Sequence, residues 1–513
     1  MLRNIISAKC VGIQAVPVNV EVNISSGLGI HLVGLADAAV KESLLRTVTA
    51  LQSMGFRIPG KKIVINLAPA DMHKKGSGYD LPIALGIIAS SEQDELPGTG
   101  KYVIMGELGL DGSVRDIPGA LPIVDMAGSM GLGCILPAGS AMEALEYDGC
   151  DIYGVSTLSD VLRILAEKED CSDLLARNVD REIPVPDSPA GDAMDFSEIF
   201  GQRGAKRGME IAAAGGHNVL LIGPPGAGKS SLAKAASMIL PPMTVEEAVE
   251  TSKIYSVAGK GCMRRGLIRR RPFRSPHYSS SLNAIIGGGS ENIMPGEISL
   301  AHNGVLFMDE LCEAPKRIIE ALRAPMEDRK VTISRLRNKV EYPADFMLIA
   351  ATNPCPCGHY GDGDRCTCTP GKRQAYLSKL SGPLMDRIDI HLWLDAVPAS
   401  DLIGRRPEES SAAVAVRVLE ARRIQEDRFR GCGVHTNAGM TGRMLSEFCR
   451  MDGKCTSFLE KLISHDGLSA RAYSRILKVA RTIADLAGKR DIGLNHLSEA
   501  ARYRFLDRKD LVL

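Results

Sequence analysis

Residues 218–231 read NVLLIGPPGAGKSS, an apolar run followed by the pattern GxxxxGK[ST]. The run predicts a buried strand, and a helix should begin near Lys229. Glycines in the turn let backbone N–H groups surround phosphates, Lys229 would reach the β and γ phosphates, and Ser230 would bind Mg²⁺. A glycine turn that matches by chance is the alternative, but the flanking strand and helix favour a phosphate-binding loop. Its predicted members are Gly223, Pro224, Pro225, Gly226, Ala227, Gly228, Lys229, Ser230 and Ser231.

A second apolar strand, residues 305–308, leads into Asp309 and Glu310. Downstream of a phosphate loop, Asp309 is expected to hold Mg²⁺ through its water shell, and Glu310 to polarise the water that attacks ATP. Taken alone, such a strand could end in an acidic turn at a sheet edge. Residues 346–351 predict a further strand that delivers Asn353 to its C-terminal end, where the catalytic groups of parallel sheets lie. These elements predict an α/β domain with a parallel sheet.

The composition narrows the class of protein. A chain of 513 residues is long enough for about three domains. It carries 62 lysines and arginines against 61 aspartates and glutamates, so only a local surface could be strongly basic. Its N-terminus lacks the apolar segment of a signal peptide, and no apolar run approaches the roughly 18 residues that span a bilayer. We expect a cytoplasmic protein without membrane contact, whose 13 cysteines are reduced unless they bind metal.

Changes in periodicity divide the chain into four parts. Residues 1–169 alternate predicted strands and helices and should form a separate α/β or α+β domain. Residues 170–192 are rich in proline, aspartate and small residues and are typical of a linker. Residues 193–396 hold the phosphate loop and the acidic strand, and residues 397–513 are helical throughout, which predicts a lid over the nucleotide site.

The first domain contains the stretches HLVGLADAAVKES, INLAPADMHKKGSGYDLPIALGIIASS and GELGLDGSVRDIPGALPI. They resemble the Lon-protease-like domain at the front of the ComM/YifB family of magnesium-chelatase-like ATPases. Active proteases of that fold use a Ser–Lys dyad, but here Gly78 or a direct neighbour stands at the serine position and Leu121 at the lysine position. The resemblance therefore implies a catalytically inactive domain, because a serine needs its base. Hydrolysis by Ser77 with Lys74 or Lys75 is the alternative.

The resemblance to this family covers nearly the whole chain, and it implies an AAA+ module in residues 193–396. In such a module, residues around 196–202 line the adenine pocket. Asn353 then corresponds to the sensor that orients the attacking water. The cofactors implied are ATP and Mg²⁺.

Arginines outside the phosphate loop are given roles by the same resemblance. Arg387 corresponds to the arginine finger, which reaches the γ-phosphate of a neighbouring subunit, so the family implies a homo-oligomeric ring, expected to be a hexamer. Arg471 would be a second sensor that contacts the γ-phosphate, with Arg475 one turn later as the fallback. The alternatives are a salt bridge from Arg387 to Asp386 or Asp389, and ordinary surface positions for the two lid arginines.

A basic insertion lengthens the nucleotide-binding domain. Lys229 and Asp309 are 80 residues apart, more than one helix, one strand and their loops require. A basic, glycine-hinged insertion fits a loop or hairpin that projects toward the pore of a ring, where arginines would meet DNA phosphates without reading bases. A solvated basic face, or an arginine set at the nucleotide pocket or subunit interface, is the alternative. The arginines concerned are Arg264, Arg265, Arg269, Arg270, Arg271 and Arg274.

A cluster of cysteines follows Asn353 in the stretch NPCPCGHYGDGDRCTCTPGKR. Two CxC pairs are separated by eight residues, and four thiolates on one short polar loop suit a tetrahedral zinc ion. Reduced free thiols and an iron–sulfur cluster are the alternatives. The predicted ligands are Cys355, Cys357, Cys366 and Cys368.

The family resemblance also implies a function. It points to an ATP-driven ring motor that acts on single-stranded or branched DNA, as a helicase for branch migration in recombination or natural transformation. The alternative is a magnesium-chelatase-type ATPase that drives metal insertion through a partner subunit. Against that alternative, the chain has no DxSxS metal-ion adhesion motif.

Overall fold

The computed structural model describes residues 2–35, 37–74, 76–178, 194–261, 266–289, 293–334, 339–361, 365–396 and 408–507. Most of the predicted linker, together with Lys75, Arg264 and Arg265, lies outside these residues. Among the helices that are described, none is long and apolar enough to cross a membrane.

The first domain is built on a mixed seven-stranded sheet. Its elements are β1 (Leu2–Val11), β2 (Gln14–Ser25), β3 (Ile30–Val33), α1 (Ala38–Ser53), β4 (Lys62–Ala68), α2 (Asp80–Ser90), β5 (Tyr102–Ile104), β6 (Glu107–Leu108), β7 (Val114–Arg115), α3 (Ala120–Ser129), β8 (Gly133–Pro137), α4 (Ala138–Glu143), β9 (Ile152–Val155) and α5 (Leu158–Ala166). The strand order is β3-β4-β2-β1-β5-β8-β9, while β6 and β7 form a separate hairpin. Antiparallel pairs join β1, β2 and β4, and the other pairs of the sheet are parallel.

Alternating buried residues of β2 form the face of this sheet on which α2 packs. Val18, Val20 and Val22 are fully buried, and every residue of α2 is buried as well. Gly86 of α2 lies so close to the sheet that an added Cβ atom would be 2.4 Å from the Val22 side chain. The helix therefore packs directly on β2, and the core of the domain lies between them.

The positions related to the protease dyad have other partners. The Ser77 hydroxyl donates a hydrogen bond to the Glu107 carboxylate, and the fully buried Lys74 ammonium donates to the Pro69 carbonyl. Leu121, at the position expected for the catalytic lysine, is part of the hydrophobic core. These contacts give Ser77 a carboxylate neighbour rather than a lysine base.

The beginning of the predicted linker packs on the first domain. Two 3₁₀ turns span Ser172–Leu174 and Ala176–Asn178. Cys171, Leu175 and Ala176 are buried, so the first domain continues to at least residue 178.

The second domain contains a parallel five-stranded sheet with helices on both faces and two further hairpins. Its elements are α6 (Arg203–Gly215), β10 (Val219–Ile222), α7 (Lys229–Met238), α8 (Val245–Val257), β11 (Phe273–Arg274), α9 (Leu282–Ile286), β12 (Gly287–Gly288), β13 (Met294–Pro295), α10 (Glu297–Leu300), β14 (Val305–Met308), α11 (Lys316–Ala321), α12 (Arg323–Asp328), β15 (Lys330–Ser334), β16 (Lys339–Pro343), β17 (Met347–Thr352), α13 (Pro370–Leu377), α14 (Gly382–Met385) and β18 (Ile390–Trp393). The sheet order is β11-β14-β17-β10-β18, which is consistent with an AAA+ domain.

The register of this sheet brings distant parts of the sequence together. Strand β17 lies between β10 and β14, with Ile222 opposite Thr352 and Met308 opposite Ala350. Because the carboxyl ends of parallel strands meet at one edge, the segments that follow these three strands converge there.

The C-terminal region is helical, as predicted. Its helices are α15 (Ser411–Arg428), α16 (Gly442–Phe448), α17 (Gly453–Asp466), α18 (Ala470–Leu486) and α19 (Leu494–Arg502). Apolar residues of α15 and α18 share one hydrophobic cluster with α6 and α7. These C-terminal helices therefore pack beside the helix that begins at the phosphate loop.

Contacts between the first two domains involve α3 and α8. Lys253 and Asp125 form an ion pair at 2.8 Å, and the Gly119 N–H donates to the Ser256 carbonyl at 3.0 Å. A cavity of about 850 Å³ lies between the domains. Ser77 is among the residues that line it, and no residue of the phosphate loop is, so the cavity is separate from that loop.

Candidate functional site

The phosphate loop follows the fully buried strand β10. Gly226 and Gly228 adopt the left-handed conformation, with φ of 77° and 87°. An added Cβ atom at either glycine would meet nothing within 4 Å, so the backbone angle and not lack of space requires glycine. Helix α7 begins at Lys229 and directs its N-terminus toward the open loop. This is the geometry in which backbone N–H groups bind an anion.

Lys229 connects the loop to the neighbouring strand. Its ammonium donates to the carbonyls of Gly223 and Pro224 at 2.6 and 3.0 Å and to Asn353 Oδ1 at 3.1 Å. Burial lowers the pKa of Lys229, while Asp309 and Glu310 act to raise it. The Lys229 ammonium and the Asn353 amide thus lie at the same point above the loop.

Ser230 and Asp309 provide two adjacent oxygen atoms. The Ser230 hydroxyl donates to Asp309 Oδ2 at 2.9 Å. Hydroxyl and carboxylate oxygens are suitable ligands for Mg²⁺, directly or through its water shell, so these residues fit the ion that accompanies ATP.

Glu310 lies beside this pair in an unusual backbone conformation. Its φ of 49° is left-handed, and its N–H donates to Asp309 Oδ1 at 2.9 Å. Its side chain is exposed. A non-glycine residue held in this region is uncommon and is found preferentially at functional sites. The arrangement suits a carboxylate that contacts a water molecule rather than the metal.

The segment expected to line the adenine pocket, residues 196–202, contacts the phosphate loop. Phe196 is buried, and the Gln202 amide donates to the Ala227 carbonyl at 3.3 Å and to the Asp395 carbonyl at 2.7 Å. Gln202 therefore ties the start of α6 to the phosphate loop and to the segment after β18.

Arg387 and the lid arginines are placed at the opposite edge of the sheet. Arg475 forms an ion pair with Asp389 at 2.8 Å, and Asp389 precedes β18, with its N–H bonded to the Asn218 carbonyl. Asn218 is five residues before Gly223, which corresponds to roughly 16 Å along a strand. Arg471 pairs with the neighbouring Asp386 at 2.5 Å. Neither Arg471 nor Arg475 therefore faces the phosphate loop of this chain.

The Arg387 side chain forms neither of the two salt bridges suggested for it. It pairs with Glu327 instead of Asp386 or Asp389, and it donates to the Pro383 carbonyl at 2.6 Å. Like Arg471, it lies in the segment before β18, away from the phosphate loop of the same chain.

A buried network below the strands was not predicted from the sequence. His217 is fully buried between Asp389, 3.3 Å from Nδ1, and Thr482 of α18, 2.8 Å from Nε2. Burial lowers the pKa of His217, although Asp389 acts to raise it. Burial acts to raise the pKa of Asp389, but Arg475 and His217 outweigh it and hold that pKa below its ordinary value. The network joins the lid to the sheet, and its members are too far apart in the sequence to suggest contact.

Most described arginines of the basic insertion have partners within the chain. Arg271 pairs with Glu247 at 2.7 Å and Arg274 with Glu297 at 2.6 Å. Arg269 pairs with Glu146 of the first domain. These three arginines are paired with carboxylates of the chain, and the expectation that the cluster projects toward a pore stays a prediction. Arg270 remains exposed.

The four cysteines after β17 come together. The Sγ atoms of Cys355 and Cys357 are 3.4 Å apart, and those of Cys366 lie 3.8 and 3.7 Å from them. All four sulfur atoms, including that of Cys368, lie within 4.8 Å of one another. Four thiolates at about 2.3 Å from one tetrahedral zinc ion are about 3.8 Å apart, so the residues fit a single zinc ion. An iron–sulfur cluster, with several irons between the thiolates, would need wider spacing.

Fold and site together define a P-loop ATPase of the AAA+ class. Comparison with family models places the chain more closely. The model described as "Magnesium chelatase, subunit ChlI" matches residues 195–402, "Subunit ChlI of Mg-chelatase" matches 20–140, and "Magnesium chelatase, subunit ChlI C-terminal" matches 408–504.

Full-length relatives complete the assignment. The chain is 43% identical over 501 residues to the uncharacterized protein YifB of Salmonella typhimurium, covering 97% of this chain and 96% of that protein. It is 41% identical over 505 residues to the competence protein ComM of Haemophilus influenzae, covering 98% and 97%. The magnesium-chelatase 67 kDa subunit of Chlorobaculum parvum is more distant, at 27% over 165 residues, 31% of this chain and 23% of that protein. The chain belongs to the ComM/YifB family of magnesium-chelatase-like proteins.

Proposed function

We propose that this protein is an ATP-driven ring motor that acts on single-stranded or branched DNA, with a helicase or branch-migration activity used in recombination or natural transformation. It would work in the cytoplasm, where ATP, Mg²⁺ and DNA are available. The observation that carries the motor part of the proposal is the convergence of Lys229, Ser230, Asp309 and Asn353 at one edge of the sheet.

Each side chain at this edge has a role in hydrolysis. Lys229 would release its bonds to the loop carbonyls and bind the β and γ phosphates, while Ser230 and Asp309 hold Mg²⁺, which would neutralise phosphate charge. Asn353 would orient the attacking water, and exposed Glu310 would accept a hydrogen bond from that water. The four thiolates after β17 would hold a structural Zn²⁺.

A complete site requires a second subunit. Arg387 and Arg471 lie at the edge opposite the phosphate loop, so they cannot serve the ATP bound in their own chain without a large rearrangement. Head-to-tail packing of identical subunits would bring this edge to the next phosphate loop and would close a ring, as a hexamer in our proposal. Arg387 would exchange its Glu327 partner for the γ-phosphate, and Arg471 would act from the lid of the same neighbour.

DNA as the substrate is supported by the relative from Haemophilus influenzae. That protein is named for competence, the state in which cells take up DNA, and it aligns with 98% of this chain. Because three of the four described arginines of the basic insertion are paired within the chain, phosphate contacts would come from exposed cations such as Arg270 together with those of other subunits.

Metal insertion is the second candidate, and the chelatase descriptions of the matching family models favour it. The relative that is itself named a chelatase subunit aligns with only 31% of this chain. Porphyrin-dependent ATP hydrolysis in the presence of a partner subunit would support this candidate.

The experiment that tests the proposal measures strand exchange directly. Purified protein is incubated with ATP and Mg²⁺ on a labelled mobile four-way junction, beside the Glu310→Gln protein and beside a linear duplex. A DNA motor is supported if the native protein converts the junction into separate duplexes in an ATP-dependent reaction and the Glu310→Gln protein does not. Active ATP hydrolysis with no conversion of any DNA substrate would contradict the DNA assignment and leave the ATPase assignment intact.

A further inference from the structure

The four-cysteine loop is attached to the nucleotide site at both sides of its first turn. It begins at Cys355, three residues after the end of β17 and two after Asn353, whose side chain accepts a hydrogen bond from Lys229. Cys355 is buried, and its carbonyl accepts a hydrogen bond from the Gly358 N–H at 3.0 Å. The turn that carries two of the thiolates therefore begins two residues after Asn353, which is bonded to the phosphate-loop lysine.

Gly358 brings the same turn against the phosphate loop. It has a φ of 82°, and an added Cβ atom would lie 3.0 Å from the ring of Pro225 and 4.0 Å from the Asn353 side chain. The backbone of the cysteine loop thus fills the space between the phosphate loop and Asn353. No side chain larger than that of glycine fits there without moving one of them.

The far side of the loop is held by aromatic contacts. Tyr360 meets Trp393 edge to face at 6.2 Å between ring centroids, and a Cβ atom at Gly361 would lie 2.9 Å from the same indole. Arg373 stacks on the Tyr360 ring at 4.2 Å and donates to the Cys368 carbonyl at 2.9 Å. The loop is therefore wedged between β18 and the phosphate loop.

The four thiolates are placed to fix the internal shape of this wedge, because their sulfur atoms lie within 4.8 Å of one another. The described part of the loop between Cys355 and Cys368 buries few apolar side chains, since its buried residues are Cys355 and Gly358, and glycine has no side chain. A bound metal ion folds such a loop by crosslinking its ligands. Loss of the ion would free Gly358 from its position beside Pro225.

We propose that Zn²⁺ bound by Cys355, Cys357, Cys366 and Cys368 holds Gly358 against Pro225 and thereby keeps the phosphate loop and Asn353 in the conformation that binds nucleotide. The ion is thus a positioning element of the ATP site and not only a fold element of one loop. This inference rests on the proposed ATP and zinc sites and adds a coupling between them.

The test compares zinc content, nucleotide affinity and Trp393 fluorescence in the full-length protein. Cys366→Ser removes one thiolate, and Cys432→Ser, which changes an exposed cysteine of the lid, is the matched control. Fluorescent ADP serves as the binding probe, so the readout does not depend on hydrolysis. Trp393 is the only tryptophan and contacts the loop, so its emission reports the loop directly.

We expect one zinc ion per native chain, loss of zinc in Cys366→Ser, an altered Trp393 emission and an ADP dissociation constant raised about tenfold. A tenfold rise corresponds to a binding-competent loop that is populated one tenth of the time. Cys432→Ser should match the native protein in all three. Re-addition of Zn²⁺ to chelator-treated native protein should restore both zinc content and ADP affinity.

Gly358→Ala separates the coupling from the metal site itself. All four thiolates remain, so zinc content should be native, whereas the added methyl group meets Pro225 and should weaken ADP binding. Native ADP affinity in zinc-free protein would overturn the coupling, and absence of zinc from the native protein would overturn the metal site. Failure of the native protein to bind ADP at all would instead refute the proposed ATPase function.

Discussion

Arg475→Met tests the buried network that joins the lid to the sheet. The native Arg475 guanidinium is bonded to the Asp389 carboxylate, and the Asp389 side chain is only 1% exposed. After the substitution, Asp389 keeps the Asn218 N–H at 3.2 Å and His217 at 3.3 Å as partners, but it loses the positively charged Arg475 guanidinium. A buried carboxylate without its ion-pair partner typically costs about 3 to 5 kcal/mol of unfolding free energy.

Arg471→Met is the matched control, because Arg471 lies one turn earlier on the same helix. Its ion pair with Asp386 is 70% exposed on the arginine side, and exposed pairs contribute about 1 kcal/mol or less. Both substitutions remove one charge and keep a similar chain length. The difference between them therefore isolates the burial of Asp389.

Urea unfolding followed by Trp393 fluorescence is the assay. The single tryptophan is the last residue of β18, the strand that begins directly after Asp389. A loss of about 3 to 5 kcal/mol corresponds to a midpoint lowered by roughly 1 to 2 M urea for Arg475→Met. The control should shift by a few tenths of that. Equal, small shifts for the two variants would refute the argument, since Asp389 would then be solvated.

The pH dependence of the same variant has a definite sign. In the native protein the pKa of His217 lies below its ordinary value, so unfolding takes up a proton and stability falls as the pH drops below about 6.5. Arg475 contributes to that lowering. Without it, the pKa of His217 should rise and the ring should protonate beside Asp389. The stability deficit of Arg475→Met should therefore shrink between pH 7.5 and 5.5.

Other predictions concern the ATP site and the first domain. Lys229→Ala should abolish nucleotide binding, whereas Glu310→Gln should bind ATP and lose at least about 100-fold in hydrolysis, measured by filter binding and phosphate release. Lys229→Ala and Arg387→Ala, each inactive alone, should regain ATPase activity when their subunits are mixed, and no recovery would place Arg387 outside the neighbour's site. Gly86→Ala should destabilise the first domain by about 1 to 3 kcal/mol through its contact with Val22, as measured by thermal unfolding.

The elements around the phosphate loop could be predicted from the sequence because their signals are local. The apolar runs before Gly223, Asp309 and Asn353 are short, continuous and followed by functional residues, and all three are buried parallel strands. Their convergence follows from the topology of a parallel sheet.

Elements without a local signal were missed. Strand β1, Leu2–Val11, has no clean alternation, since its burial depends on pairing with β2 on one side and β5 on the other. Helix α8 lies just before the arginine-rich stretch that was predicted to project, and its Glu247 is the partner of Arg271. A run of arginines shows positive charge, but whether carboxylates neutralise it depends on tertiary contacts.

The lid arginines illustrate the same limit. The family resemblance pointed to the helix that carries Arg471 and Arg475, but it did not show which edge of the sheet the helix would meet. The position of Asp389 before β18 decides this, and only the fold places Asp389 under α18.

The most direct test of the central proposal is steady-state ATP hydrolysis with and without single-stranded and branched DNA, over a salt series, beside the Glu310→Gln protein. We predict that DNA stimulates hydrolysis, and that the stimulation falls steeply as salt rises because phosphate contacts carry the binding. The Glu310→Gln protein should hydrolyse ATP neither with nor without DNA. A hydrolysis rate unchanged by any DNA at low salt would contradict the proposal that DNA is the substrate of this motor.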